Sequence, residues 1–401
     1  METPGPPAYE QKCATSLERS RLAENLRIFG DGPIPWRIGF LLFGVVAEGS
    51  LILKATGQGV KLGAVCDVVF RQTKMSLYDQ FGRQILDLRI SITDRCNYRC
   101  VYCRSADPEN YQAHDEILSW PELERLARIF VGLGIRKMRV TGGEPLVREG
   151  VEEFIGRLSA LGVADLSMTT NGHLLAERCE RLQAAGLQRI NVSLDSLDPI
   201  KFEKIVRVRS YDKVMHGIEV AQKTRLAPVK VNAVLVRGLN DDEIEPFALF
   251  ARERGVVMRF IEFMPLDADR HWSRNLVVPA AEVLERINRQ WPLEQIPHNQ
   301  SETARKYRFR DGAPGEIGLI APVTQAFCGH CSRIRLTADG KLRTCLFSKD
   351  DHDMRGLLRG KASDRQIEDW IKSVVMEKEE GHRINEPGFL PPSRTMVFIG
   401  G

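Results

Sequence analysis

The sequence has little of what nucleic-acid-binding, membrane-spanning and secreted proteins carry. Among its 401 residues, Lys and Arg number 57 and Asp and Glu 53, so the net charge is only +4, and aromatic residues make up 7%. Such a balance argues against a nucleic-acid-binding protein, which needs a basic stripe or an aromatic platform. The longest uncharged apolar run near the start, residues 38–47, is too short to span a bilayer and too far from Met1 for a signal peptide. We therefore expect no nucleic-acid partner, no membrane contact and no export.

The cysteines do not form a disulfide framework. There are nine of them, an odd number, and six fall into two tight triplets, while Cys13, Cys66 and Cys179 are scattered. Close spacings within one loop are poor for disulfides, and free thiols persist in reducing compartments. The sequence therefore predicts a cytoplasmic protein that keeps its thiols for another purpose.

The first triplet lies in one short loop, Cys96-Asn-Tyr-Arg-Cys100-Val-Tyr-Cys103, directly after an apolar stretch. Three thiolates can hold three irons of a [4Fe–4S] cluster and leave the fourth iron open to a small molecule. A structural zinc site usually has four ligands in two separated pairs, and no histidine pair stands nearby. The spacing favours a cluster over zinc, and it resembles the signature of the radical S-adenosylmethionine (SAM) enzymes.

The second triplet is Cys328-Gly-His-Cys331, followed by Cys345. Here zinc is a stronger alternative, with His330 or His352 as a fourth ligand.

Two arginines follow this triplet. Arg333 and Arg335 stand at alternate positions, which places both guanidinium groups on one face of a strand. Two arginines beside a metal site suit a phosphate or triphosphate, which favours a second cluster next to an anionic ligand. A solvated basic strand is the alternative.

From residue 86 onward, strands alternate with helices. The predicted strands are 86–93, 137–141, 165–170, 189–194, 229–236 and 257–263. Helices are predicted over 174–185, 213–223 and 241–254, and Ser119 with Glu122 forms a capping box at the start of another. Six such strands predict an α/β fold with a parallel sheet. The radical SAM resemblance sharpens this to an incomplete, TIM-like (β/α)6 barrel over residues 75–270, with its chemistry at the carboxyl ends of the strands.

The two flanking regions lack this alternation. Residues 271–401 contain the second triplet, and we interpret them as a smaller, lid-like region that binds the second cluster and the substrate. Residues 1–74 begin rich in Pro and Gly and show one plausible helix over 16–26. We assign no fold to this extension, which is either disordered or not native, with Met75 as the true start. Abundant native peptides from residues 1–74 in mass spectrometry would reject the second alternative.

Several further motifs resemble those of one family. A Gly-Gly-Glu-Pro turn at residues 142–145 follows the cysteine loop by one helix and one strand. Its glycines let the backbone come close to a ligand, and Glu144 offers an acceptor for an ammonium group, which SAM carries. The chain resembles the molybdenum cofactor biosynthesis protein A family, the GTP 3′,8-cyclases, over roughly four-fifths of its length. The matching segments are 87–96, 139–145, 169–172, 191–197, 230–232, 260–265 and 327–346, and the chain ends in Gly400-Gly401, as that family does.

The resemblance implies a radical SAM lyase with two [4Fe–4S] clusters, one on each cysteine triplet. It implies that GTP is cyclised to (8S)-3′,8-cyclo-7,8-dihydroguanosine 5′-triphosphate, the first step of molybdenum cofactor (molybdopterin) biosynthesis. The first cluster would cleave SAM to a 5′-deoxyadenosyl radical, and the second would bind guanine through its open iron. A flavodoxin or ferredoxin would supply electrons, a cyclic pyranopterin monophosphate synthase would take the product, and the enzyme would be a monomer or homodimer.

The resemblance also implies roles for individual residues. The SAM-binding residues would be Tyr102, Gly143, Ser193 and Met264. The GTP-binding residues would be Arg89, Arg139, Thr170, Lys230, Arg333, Ile334 and Arg335. The tail residues Gly400 and Gly401 would reach into the active site, where glycines avoid crowding.

Two departures from the family pattern stand out. Cys103 is followed by Arg104-Ser105 instead of the usual Met-Pro, and Ser332 replaces the usual Asn after Cys331. Neither change removes a cysteine, so we expect the chemistry to be kept. A peptide-modifying or sulfatase-maturing radical SAM enzyme is the alternative within the superfamily, but such enzymes usually carry more cysteines near the C-terminus.

Overall fold

A computed structural model describes residues 76–105 and 111–400, together with the backbone of three strands between residues 41 and 68. The chain divides into two compact units, Met1–Gln72 and Thr73–Gly401. The first unit contains an antiparallel sheet of β1 (Leu41–Ala47), β2 (Ser50–Thr56) and β3 (Asp67–Val68), a region to which the sequence assigned no fold. The helix predicted over 16–26 lies outside the described residues. A division of the second unit near residue 270 stays a prediction.

Six parallel strands in sequential order form the centre of the second unit. They are β4 (Asp87–Ser91), β5 (Lys137–Thr141), β6 (Asp165–Thr170), β7 (Arg189–Ser193), β8 (Lys230–Leu235) and β9 (Val257–Glu262). The helices between them are α1 (Trp120–Gly132), α2 (Val151–Ala160), α3 (Leu175–Ala184), α4 (Pro199–Val206), α5 (Tyr211–Gln222) and α6 (Ile244–Arg254). This is the predicted (β/α)6 partial barrel, and the six strands lie where the sequence predicted them. The helix α4 was not predicted.

The C-terminal region extends the sheet at both edges, which the prediction of a lid alone did not anticipate. Its elements are α7 (Ala280–Gln290), β10 (Leu293–Ile296), β11 (Arg305–Phe309), β12 (Glu316–Ile320), β13 (Arg333–Leu336), β14 (Lys341–Arg343), β15 (His352–Asp353), α8 (Met354–Arg359), α9 (Asp364–Met376) and α10 (Met396–Ile399). Strand β12 pairs in parallel with β9, and β13 pairs in parallel with β4. The second cysteine triplet is thereby attached to the strand that precedes the first.

Short 3₁₀ helices occupy five loops: His114–Glu116, Pro145–Val147, Asp241–Glu243, Arg274–Leu276 and Cys328–His330. In the part of the chain that the structure describes from residue 76 onward, no helix is long and apolar enough to cross a bilayer.

Alternation along the barrel strands separates an apolar layer from a polar interior. On β4, Leu88 and Ile90 are fully buried in the core between sheet and helices, whereas Arg89 between them lines an interior cavity. Successive residues of a strand point to opposite faces, so each barrel strand contributes to both layers. The predicted capping box starts α1: Glu122 N donates to Ser119 Oγ, and Ser119 N donates to a Glu122 carboxylate oxygen at 2.7 Å.

Candidate active site

Both cysteine triplets line the same interior cavity, which has a volume of about 290 Å³. The lining cysteines are Cys96, Cys100, Cys103, Cys328, Cys331 and Cys345, and none of them is in a disulfide. The first three follow β4, and Cys328 and Cys331 precede β13, the strand that pairs with β4. Neighbouring strands therefore bring together two triplets that lie far apart in the sequence.

The first cysteine loop is fixed by backbone hydrogen bonds. Arg99 N and Val101 N donate to the carbonyls of Val206 and Ile205 at the end of α4, at 3.2 and 3.0 Å. Within the loop, the amides of Cys103 and Arg104 both donate to Cys100 O at 2.9 Å. The protein's own hydrogen bonds thus hold the loop on the barrel, which gives the preorganisation that a cluster site needs.

The Gly-Gly-Glu turn packs directly on this loop. Gly143 N donates to Thr93 O at 2.7 Å, and Glu144 N donates to Arg95 O at 2.8 Å. A Cβ atom on Gly143 would lie 2.3 Å from Arg95 O, so a side chain has no room there. The sequence predicted that these glycines let the backbone approach a ligand. The structure shows that they first let two loops of the protein approach each other.

Glu144 is buried, and its carboxylate connects its own turn to the end of β6. It accepts hydrogen bonds from Thr170 Oγ1 at 2.7 Å, from Asn171 N at 2.6 Å and from Leu146 N at 3.0 Å. Burial raises the pKa of Glu144 to about 7, against these hydrogen bonds, which act to lower it. Thr170, predicted to contact GTP, thus supports the carboxylate that was predicted to accept an ammonium group.

All four residues assigned to SAM line the cavity: Tyr102, Gly143, Ser193 and Met264. The side chain of Tyr102 is engaged within the protein, because its hydroxyl donates to Asp195 Oδ2 at 2.5 Å. Burial raises the pKa of Asp195 to about 6. SAM binding by these four residues stays a prediction.

The second triplet is held by hydroxyl groups and backbone amides. Cys331 N donates to Cys328 O at 3.0 Å, and Cys345 N donates to Ser348 Oγ at 3.0 Å. The hydroxyls of Ser348 and Thr344 in turn donate to the carboxylate of Glu379.

Neither histidine proposed as a zinc ligand lies in the cavity. His330 is exposed, and His352 stacks edge-on against Trp370. Within residues 76–105 and 111–400, no three Cys, His, Asp or Glu side chains converge closely enough to hold a single ion. Each triplet offers thiols, and thiolates are the ligands that iron–sulfur clusters take, so the donor set fits a cluster on either triplet.

The histidine that does line the cavity is His382, which the sequence analysis missed. Its backbone amide donates to the Cys328 sulfur, and its Nε2 is buried without a partner. No motif surrounds it, so only the folded chain reveals its position.

Three arginines on adjacent barrel strands form a row along the cavity wall. Arg335, Arg89 and Arg139 are register neighbours on the adjacent parallel strands β13, β4 and β5. Burial lowers the pKa of Arg89 well below its usual range, and the positive charges of Arg335 and Arg139 lower it further. Burial likewise lowers the pKa of Arg335 to about 10. Buried like charges are unfavourable without an anion between them, so the row indicates an anion site.

The row continues into an adjoining polar cavity of about 140 Å³. Its lining includes Arg89, Arg139 and Arg333, together with Lys230 and Arg259. Burial lowers the pKa of Lys230 to about 7, and the charge of Arg259 adds to this effect. Arg259, whose pKa burial lowers to about 9, was missed because a single arginine on a strand carries no motif. Ile334 is fully buried and lines neither of these two cavities, so any part it plays would be through its backbone.

The described chain ends inside this site. Gly400 has a φ of 85°, and its carbonyl accepts a hydrogen bond from Arg335. A Cβ atom at this position would lie 2.7 Å from the Cβ of Ser91. Gly401 lies outside the described residues.

One of the two departures from the family pattern has a structural role. Arg104 is buried and donates from Nη1 to Cys96 O at 3.2 Å and to the Tyr111 hydroxyl at 2.8 Å, with its guanidinium 4.9 Å from the Tyr111 ring centroid. Arg104 therefore closes the cysteine loop. Ser332 is buried, and its backbone carbonyl accepts from the amides of Leu86 and Asp87, a contact that Asn would make equally, so nothing in the structure explains the serine.

Comparisons with known proteins agree with this architecture. The radical SAM superfamily profile matches residues 90–251, and the Molybdenum Cofactor Synthesis C profile matches residues 256–384. The chain is 45% identical over 326 residues to the GTP 3′,8-cyclase of Thermodesulfovibrio yellowstonii, covering 80% of this chain and 99% of that protein. It is 41% identical over 330 residues to the GTP 3′,8-cyclase of Geobacter sulfurreducens, covering 82% of this chain and 100% of that one.

Among solved structures, Streptococcus suis SuiB bound to precursor peptide SuiA aligns with a TM-score of 0.52 at 14% identity, covering 79% of this chain and 77% of that one. That likeness concerns the fold alone. The sequence identity to the cyclases extends over nearly their whole length, together with both profiles, and on these grounds the chain belongs to the GTP 3′,8-cyclase family of radical SAM enzymes.

Proposed function

We propose that this protein cyclises GTP to (8S)-3′,8-cyclo-7,8-dihydroguanosine 5′-triphosphate in the first step of molybdenum cofactor biosynthesis. The observation that carries the proposal is the shared cavity. Two triplets of cysteines, none of them in a disulfide, line it together with the row of arginines on β13, β4 and β5. In a nucleoside triphosphate, the phosphates would bind the arginines and the purine would bind beside the second cysteine triplet. The membership in the cyclase family agrees with this assignment.

The first triplet would hold one [4Fe–4S] cluster, and the turn at Gly143 and Glu144 would hold SAM against it. When bound together, the cluster and SAM supply one electron and a 5′-deoxyadenosyl radical. Tyr102, Ser193 and Met264 would orient the adenosyl portion within the cavity.

The second triplet would hold a second cluster, and guanine would bind at its open iron. The basic residues Arg89, Arg139, Lys230, Arg259, Arg333 and Arg335 would hold the triphosphate. With GTP fixed at both ends, C3′ of the ribose would give up its hydrogen to the 5′-deoxyadenosyl radical, which leaves as 5′-deoxyadenosine. A C3′–C8 bond would form as the C8–N7 double bond of guanine opens, and one electron from the reductant with one proton would complete the dihydroguanine ring.

The remaining parts of the proposal come from the family. A flavodoxin or ferredoxin would reduce the clusters, a cyclic pyranopterin monophosphate synthase would take the product, and the protein would act in the cytoplasm as a monomer or homodimer.

The proposal is tested by anaerobic incubation of the cluster-reconstituted protein with GTP, SAM and a reductant. Mass spectrometry should find the cyclised nucleotide and 5′-deoxyadenosine together. Formation of 5′-deoxyadenosine without the cyclised nucleotide would indicate a radical SAM enzyme with another substrate.

We expect the binding of GTP to be accompanied by the uptake of a proton at Lys230. The pKa of Lys230 is about 7, below the ordinary 10.5. Above pH 7, most Lys230 side chains in the free protein are therefore uncharged. Arg259, Arg189, Arg139 and Lys306 surround it, and Asp87, Asp165 and Glu302 line the same cavity. A bound triphosphate would raise the pKa of Lys230, so GTP affinity should fall as pH rises from about 7 to about 10.

Calorimetry of GTP binding near pH 8, in buffers of different ionisation enthalpy, measures this proton uptake. The variant Lys230→Arg, which is charged at every pH used, should bind GTP with less uptake than the natural protein. Equal uptake in both proteins would show that Lys230 is not the group that titrates.

Gly400→Ala is expected to slow cyclisation about 10- to 100-fold, because the clash with Ser91 moves the carbonyl away from Arg335. Cluster content and cleavage of SAM should be unchanged. Gly388→Ala is the matched control, since Gly388 also has a left-handed φ, of 80°, but a Cβ there meets nothing within 4 Å. If both variants lose the same activity, general backbone strain explains the loss and the contact with Arg335 does not.

A further inference from the structure

A buried lysine outside both cysteine motifs lies between the strands that carry the second triplet. Lys378 follows α9 and is 1% exposed. Its Nζ donates to Arg333 O at 3.0 Å and to Thr344 O. Arg333 is two residues after Cys331, and Thr344 directly precedes Cys345. The ammonium group therefore connects the two chain segments that bring these cysteines together.

The positive charge of Lys378 is close enough to interact electrostatically with Cys328, Cys331 and Cys345. Arg333 and Arg83 are other cations that act on Cys331, and Glu379 is a carboxylate that acts on Cys345. One buried cation is thus near every thiol of the triplet.

Among residues 76–105 and 111–400, no carboxylate stands within ion-pair distance of Lys378. The neighbouring Glu379 directs its two oxygens to the hydroxyls of Ser348 and Thr344 instead. A buried ammonium group whose partners are carbonyls is unfavourable without an anion nearby. Besides Glu379, the three cysteines are the groups near it that can carry a negative charge.

We propose that Lys378 is the counter-ion of the second cluster: it holds the two ligand segments together and makes that cluster easier to reduce. The inference rests on the proposed function, since it requires a cluster on this triplet. Three thiolates give such a cluster a net negative charge, which grows on reduction. A fixed cation in a low-dielectric environment stabilises the reduced state more than the oxidised one and therefore raises the reduction potential.

The test measures the reduction potential of the second cluster by itself. In the full-length chain, Cys96, Cys100 and Cys103 are replaced with alanine so that the second triplet holds the remaining cluster. Redox titration followed by electron paramagnetic resonance then compares this parent with Lys378→Met and Lys378→Arg. Lys372→Met is the control, because Lys372 lies on the same helix α9 but is partly exposed and paired with Asp369.

The potential of Lys378→Met should shift to a more negative value, that of Lys378→Arg should stay near the parent, and Lys372→Met should have no effect. Loss of the cluster from Lys378→Met, with retention in Lys378→Arg, also supports the role of the charge. An unchanged potential in Lys378→Met, or equal loss of the cluster from both Lys378 variants, would overturn it. If the parent itself binds no cluster, the proposed function fails, which is a separate result.

Discussion

Cys345→Ala is expected to abolish the cyclised nucleotide while leaving the cleavage of SAM to 5′-deoxyadenosine largely intact. Cys345 belongs to the second triplet, and its loss leaves Cys328 and Cys331 to hold that cluster. Two protein ligands do not retain a cluster that already has an open iron, so guanine would lose its binding group. The first triplet keeps all its thiols, and its loop is held by α4 and the Gly-Gly-Glu turn.

The measurement combines iron analysis, 5′-deoxyadenosine yield and cyclised nucleotide yield in one anaerobic assay. Cyclisation should fall by a factor of about 100 or more, and iron should fall to about half. Cys179→Ala is the matched control: Cys179 is fully buried on α3 and does not line the cavity. Cys179→Ala should keep both clusters and activity. Normal cyclisation by Cys345→Ala would contradict a second cluster that binds the substrate.

The sequence predicted the parts of this site that are encoded locally. The six barrel strands were predictable because alternation and helix signals recur within a few residues, and the cysteines because three thiols in one loop have few other uses. The carboxyl ends of parallel strands share one edge, so the order of the motifs along the chain was enough to place the Gly-Gly-Glu turn near the cysteine loop.

Other parts depend on register between distant segments and could not be predicted. Arg335 becomes a neighbour of Arg89 because β13 pairs with β4, a pairing that no local pattern indicates. His382 and Lys378 reach the second triplet from the chain after α9. The motif singled out the glycines at 142 and 143, but their closest neighbours are Thr93 and Arg95, in the segment between β4 and the cysteine loop.

Arg89→Met is expected to change GTP affinity and stability in opposite directions. Arg89 lines both cavities, its Nε is buried without a partner, and two arginines stand beside it. Loss of a charge-assisted hydrogen bond to the triphosphate, worth about 1.5–3 kcal/mol, should weaken GTP binding roughly 10- to 100-fold. Removal of a buried, repelled charge should raise the free energy of unfolding of the GTP-free protein by roughly 1–3 kcal/mol.

The measurements are GTP binding by calorimetry and denaturant unfolding of the GTP-free protein. The control is Arg286→Met, because Arg286 pairs with Glu245 outside both cavities. Arg286→Met should leave GTP affinity unchanged and lower stability by about 1 kcal/mol or less.

Removal of a residue that stabilises the fold lowers the free energy of unfolding, as we expect for Arg286→Met. An arginine that serves anion binding is repelled by its charged neighbours in the free protein, and the bound anion compensates for that repulsion. If Arg89→Met were destabilising and bound GTP normally, the arginine row would be a structural feature, and the triphosphate would have to bind elsewhere.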